Sequence, residues 1–223
     1  GMITAAEMNG DIARLMSGPL ASESGGVYGL KDLNLHVEEG RGFLRRTADR
    51  YDLIQIALLE SMGTASAGVY SLNENYLFTK EAFQLYLDRL TPGGILSVSR
   101  WVENPPRGSL KLLATAIDAL NARSGANAAE SLVMIRSWQT ATILVKKGSF
   151  RKAEIDAVKA FCKTRLFDLC YYPGIPVEET NRFNRVDTDY LSLAARSFLS
   201  GQGERFYGEY PFDVRPATDD RPF

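Results

Sequence analysis

Any chemistry in this 223-residue chain must be done with few of the usual tools, because His36 is its only histidine and Cys162 and Cys170 its only cysteines. One histidine and two cysteines do not make a Cys/His zinc site, and two cysteines are too few for a disulfide framework. No metal is expected, and a reducing compartment fits this usage. Proton transfer falls to carboxylates, tyrosines, lysines or the substrate itself. His36 stands in Leu35-His36-Val37, a strand-like setting in which a hydrogen-bonded structural role is expected. Arg100-Trp101 and Arg107 have the groups to stack on or pair with a substrate, although covering the core's rim is the simpler use. Asp219-Asp220 reads as a solvated turn, and Phe206, Tyr207, Tyr210 and Phe212 read as a tail packed on the domain.

The elements that must position these residues alternate in type. Ile3-Thr4-Ala5-Ala6 is strand-like and ends at Glu7; over 11–16, Ile12, Leu15 and Met16 then fall on one helical face. Residues 33–38 predict a second strand and 40–47 a short helix. The β-rich run 51–58 predicts a third strand, buried on both faces. Thr79, followed by Lys80-Glu81-Ala82, predicts a capped helix, which stops at Thr91-Pro92-Gly93-Gly94 before a strand over 95–98. A long helix over 109–123 precedes strands at 132–135 and 141–145, whose short connection predicts an antiparallel hairpin closing the sheet. Helices are expected over 152–164 and 188–198, separated by an irregular Asn/Pro/Tyr-rich stretch.

This alternation predicts an α/β fold, with the strands starting near 3, 33, 51 and 94 parallel in one sheet. In such sheets ligands sit beyond the carboxyl ends of the strands, which directs attention to Glu7, Glu38, Glu39 and residues 58–61. The 26 basic and 27 acidic residues give a net charge of −1, so no basic field covers the surface and nucleic acid is not an expected partner. No apolar run reaches the roughly 20 residues of a membrane span.

The segments Ile3-Thr4-Ala5-Ala6-Glu7-Met8-Asn9, Val37-Glu38-Glu39-Gly40-Arg41-Gly42-Phe43-Leu44, Tyr51-Asp52-Leu53-Ile54 and Leu90-Thr91-Pro92-Gly93-Gly94-Ile95-Leu96 stand in an order and spacing that resemble the spermidine synthase-like branch of the class I S-adenosylmethionine-dependent transferases. The likeness covers roughly residues 2–146. It implies a Rossmann-like, mostly parallel sheet with an antiparallel C-terminal hairpin, in a transferase-like domain over 2–146 carrying a helical, aromatic and proline-rich extension over 147–223. The family's first strand and its glycine-rich turn would lie before residue 2 and are missing from the chain. Their place, between the strands at 3 and 51, would be closed by direct pairing, by another part of the chain or by a second copy, so a homo-oligomer is expected.

The resemblance also assigns residues. Glu7 matches the acid whose oxygens accept hydrogen bonds from both ribose hydroxyls, Glu39 the acid that receives the adenine amino group, and Gly40 the amide that reaches an adenine ring nitrogen. The cofactor is S-adenosylmethionine or its decarboxylated form, held weakly by this chain without the glycine turn. The family follows its fourth strand with two carboxylates that hold and deprotonate a diamine; the first position is Ala57 here and the second falls at Glu60. Glu74 and Tyr76 occupy the substrate loop. Polyamine synthesis is therefore not expected, and the acceptor is a small-molecule nucleophile alkylated by an aminopropyl or methyl group.

Tyr172-Pro173-Gly174 and Thr218-Asp219-Asp220-Arg221-Pro222-Phe223 resemble larger bacterial proteins that fuse such a domain to membrane-spanning helices. This implies a cytoplasmic domain, in one version attached to the inner membrane through spans of the same parent protein. Two further readings follow. One is a catalytically silent binding domain, favoured by Ala57; the other is an interaction domain whose partner is the membrane portion of that parent.

Overall fold

Strand β1 (Ile3–Ala6) pairs in parallel with β2 (Leu33–His36), Ile3 opposite Leu33 and Ala6 opposite His36. The computed structural model describes residues 1–58 and 75–223, arranged as two units, Gly1–Asp49 and Arg50–Phe223. In the first unit each strand leads into a helix. Asn9 caps α1 (Gly10–Ser17), its side-chain oxygen accepting from the Asp11 and Ile12 amides, and Glu39 caps α2 (Gly40–Arg46). Both begin where a polar side chain can satisfy amides that the helix itself leaves open. The apolar face expected of α1 forms but stays wet, with Ile12 43% and Leu15 46% exposed and only Ala13 buried. A unit of this size has little interior in which to hide a helix face.

The second unit is built on a five-stranded sheet in the order β3 (Tyr51–Ile56), β4 (Leu90–Trp101), β6 (Thr140–Lys146), β5 (Leu132–Arg136), β7 (Asp168–Tyr171). β3 and β4 are parallel, as a strand-helix-strand connection requires, and the pairs beyond β4 are antiparallel. Helix α3 (Lys80–Arg89) starts at Thr79, whose hydroxyl accepts from the Ala82 amide. α4 (Gly108–Asn121) buries most of its residues, including Leu110, Leu112, Leu113, Ala116 and Leu120. With Phe83, Leu90, Leu96, Val98, Val133 and Ile143, all fully buried, they form the core, each large side chain contributing about 1.5–3 kcal/mol. The described residues of the unit also form α5 (Ala128–Ser131), α6 (Lys152–Arg165), α7 (Tyr190–Leu199) and α8 (Gly203–Glu209).

Three expectations need correction. The strands starting near 3, 33, 51 and 94 do not form one hydrogen-bonded sheet: β1 and β2 make a two-stranded sheet of their own. β1 and β3, between which the resemblance places the missing strand, each pair on one side alone among the described residues. β3 is accordingly not buried on both faces, Leu53 being 55% exposed while Ile54 is buried. The β5–β6 hairpin does form, but β7 pairs outside β5 and takes the edge.

What holds β7 in place is a buried charge. Asp168 accepts from the amides of Arg182 (2.6 Å), Phe183 (2.8 Å) and Asn184 (2.7 Å) and from Arg136 of β5 (3.3 Å), the two side chains 1% and 4% exposed. Arg136 also donates to the carbonyl of Asn184 at 2.6 Å. Asn181, in the left-handed region at φ 52°, closes the turn by accepting from the Val186 amide and donating to its carbonyl; asparagine tolerates that conformation better than most residues. Residues 147–223 thus supply a strand of the sheet as well as helices packed on it.

Candidate functional site

The parallel register carries β1 and β2 to a common carboxyl edge. There the Glu7 amide donates to the His36 carbonyl at 2.9 Å, and a Cβ placed on Gly40 would lie 4.0 Å from that of Ala6. Glu7 and the Glu39-Gly40 start of α2 therefore share one edge. Glu7 is half-buried; its Oε1 accepts from the Asn9 amide at 2.7 Å, and Oε2 has no hydrogen-bond partner among the described residues. Glu39 spends both oxygens on its own helix, Oε1 on the Arg41 amide (2.7 Å) and Oε2 on the Gly42 amide (2.6 Å). Each oxygen keeps a second lone pair. The Gly40 amide is then the first-turn donor left without a partner among the described residues.

Gly40 has neither a positive φ nor a close neighbour that demands glycine, so the fold does not require the missing side chain; backbone approach by a ligand would. Glu38 is engaged elsewhere, pairing with Arg46 and lying 3.7 Å from His36 Nδ1. His36 itself ends β2 with its ring 4.6 Å from that of Phe43.

The residues assigned to catalysis lie in the second unit. Ala57 follows β3 and brings no acid. Glu60 and Glu74 lie outside the described residues. Tyr76, 44% exposed, opens a single 3₁₀ turn (Tyr76–Phe78) capped by Asn75. Around that turn the C-terminal tail is pinned. Arg100 lies 4.7 Å from the Phe78 ring and 4.4 Å from the Phe223 ring, Thr79 Oγ1 donates to Asp219 at 2.7 Å, and the Asp219 amide reaches Glu81 at 2.9 Å. Arg100 thus packs against two aromatic rings, and Asp219, expected in a solvated turn, is instead half-buried and tied to Thr79 and Glu81. Tyr210 stacks on Phe206 and donates to the Pro106 carbonyl at 2.6 Å, while Arg107 sits 4.0 Å over Phe212, so the aromatic series is packing.

Cys162 and Cys170 are both buried and free. Burial, with Asp168 adding to it, pushes the Cys162 thiol up to about 11, and burial likewise raises Cys170, which makes neither a thiolate nucleophile at neutral pH. Among the described residues no group of three His, Cys, Asp or Glu side chains is placed to hold a metal ion, and no helix is long and apolar enough to cross a membrane. Sequence reasoning missed Arg136 and Asp168 altogether, since a lone arginine in a strand and an acid before Leu169-Cys170 carry no motif.

The parallel β1–β2 pair of the first unit, whose carboxyl edge bears these acids, and the sheet of the second unit, which turns antiparallel at its C-terminal strands, make a mixed α/β, Rossmann-like fold similar to that of a probable spermidine synthase. A probable spermidine synthase from Corynebacterium glutamicum matches at a TM-score of 0.50 and 15% identity, over 72% of this chain and 52% of that one. A spermidine synthase in complex with the transition state analogue AdoDATO matches at 0.45 and 14%, over 92% and 60%. An rRNA methylase from Streptococcus thermophilus matches at 0.39 and 12%, over 66% and 74%. Of these three the first reaches 0.50, and the fold assignment rests on it; the chain spans about half the length of that protein. No protein-family model and no curated protein matches the sequence.

Proposed function

We propose that this chain is an S-adenosylmethionine-dependent transferase domain that holds the adenosine part of its cofactor at the carboxyl edge of β1 and β2. The observation that carries the reading is the 4.0 Å approach of Gly40 to Ala6, which brings the start of α2, with its unpartnered Gly40 amide, up to the residue that precedes Glu7. Glu7 has acceptor capacity for ribose hydroxyls, as the acid of a dinucleotide site does. Gly40 offers a donor to a ring nitrogen, and the remaining lone pairs of Glu39 can receive an exocyclic amine. The residues therefore fit an adenosine. When bound, S-adenosylmethionine or its decarboxylated form supplies a carbon activated by a sulfonium. The chain's part is to orient the nucleoside and to leave the acceptor's proton to groups outside this edge.

Because these contacts address the nucleoside, adenosine should displace S-adenosylhomocysteine competitively in a calorimetric titration and free methionine should not. Binding of S-adenosylhomocysteine that adenosine leaves untouched would overturn the assignment.

The acceptor is a small nucleophile other than putrescine. Both amines of putrescine are charged near neutral pH, amines resembling lysine at about 10.4, and one must be held while the other is deprotonated. Ala57 can do neither, and Glu60 alone can do one. With decarboxylated S-adenosylmethionine and putrescine the protein should turn over well below the ordinary enzyme range of about 1 s⁻¹ or more; a rate within that range would show that Ala57 does not matter. Ala57 also favours a second reading, a silent adenosine-binding domain, which predicts binding with no transfer to any acceptor.

A further inference from the structure

Far along the chain from the nucleoside edge, the loop after β7 and helix α7 enclose a surface cleft of about 830 Å³, within the usual size of small-molecule sites. Arg182, Arg185 and Arg196 all line it. Among the described residues none of the three guanidinium groups makes an ion pair or donates a hydrogen bond, and Nη2 of Arg196 is buried without a partner. That is unusual. A guanidinium offers five N–H donors, and buried donors are nearly always satisfied, so an orphan points to a water or an ion as its complement.

The cleft is also rigidly framed. Asp168 and Arg136 clamp the backbone of residues 182–184, which fixes the loop bearing Arg182 and Arg185. Arg196 stands on α7, anchored at its start by Asp189 bonding the Ser192 amide and hydroxyl. Glu178, Asp187 and Asp189 line the same cleft yet pair with none of the arginines, Asp189 being spent on Ser192, and their charge disfavours an extended polyanion. Val177 and Leu193, 65% and 51% exposed, give it an apolar wall.

We propose that this cleft binds a single anionic group, phosphate or carboxylate, carried on a small molecule whose apolar part rests against Val177 and Leu193. Arginine suits the task because its planar fork meets either oxyanion with two parallel hydrogen bonds. The proposal does not depend on the adenosine site.

Titration of the protein with inorganic phosphate, and separately with acetate, at constant ionic strength and read by amide NMR shifts tests it. Saturable shifts in residues lining the cleft are expected, with binding at least tenfold weaker in Arg185→Gln and in Arg196→Gln. Arg185 is exposed, so its variant should fold normally and keeps the test valid if Arg196→Gln does not. Saturation by phosphate alone assigns a phosphate ligand, and saturation by both or by acetate alone a carboxylate-tolerant site. No saturable response to either anion, or equal binding in Arg185→Gln, would overturn the proposal.

Discussion

Asp168→Ala should destabilise the second unit by about 3–5 kcal/mol, the usual cost of stripping one partner from a buried ion pair. Its carboxylate is the acceptor for three backbone amides and the counter-charge of Arg136, so alanine leaves a buried guanidinium without its counter-charge and three amides without their acceptor at once. The loss should be seen as an earlier midpoint in chemical denaturation. The same group sets an acid limit. Burial alone would raise the Asp168 carboxyl, but hydrogen bonds from the Phe183 and Asn184 amides, the Asn184 side chain and the Arg182 amide hold it below its ordinary value. A carboxyl depressed in the folded state contributes stability above its unfolded value of about 3.9, and that stability drains away as pH falls through the lower folded value. The parent protein should therefore lose stability below about pH 4, and Asp168→Ala should lose less over the same range. A midpoint shift corresponding to under about 1 kcal/mol at pH 7 would show that the pair carries little.

How far sequence reading reached can be judged from individual residues. Where a local signal has a local cause, it was legible. Thr79 caps its helix, as expected, because its oxygen finds the Ala82 amide three residues on. The helix stops just before Thr91-Pro92-Gly93-Gly94, as expected, but this segment lies in β4, where Gly93 takes φ 81° and a side chain on Gly94 would meet the Tyr51 carbonyl of β3 at 3.0 Å. The edge that Glu7 and Glu39 reach was legible too, because parallel pairing and strand length determine which residues lie there, whereas Gly40 was singled out by the resemblance alone.

Tertiary causes were not legible. β7 escaped because Asp168 looks like a surface acid and is buried only by virtue of Arg136, distant in sequence. Residues 203–209 were read as part of an aromatic tail but form α8, held where Phe206 and Tyr207 pack on Phe198. The burial of β3 was overestimated because an apolar run shows its capacity for burial and not whether a neighbour arrives. The capping role of Glu39 hid behind its resemblance to an adenine-binding acid.

The central claim is that the β1–β2 edge recognises a nucleoside through Glu7. Calorimetric titration with S-adenosylhomocysteine of the parent protein, Glu7→Ala and Glu23→Ala tests it most directly. Glu7→Ala removes charge-assisted hydrogen bonds worth about 1.5–3 kcal/mol, a loss of about 10- to 150-fold in affinity. Glu23, exposed and remote from the edge in sequence, serves as the control. The account predicts that loss in Glu7→Ala with Glu23→Ala matching the parent protein; affinity in Glu7→Ala equal to the parent's would contradict it.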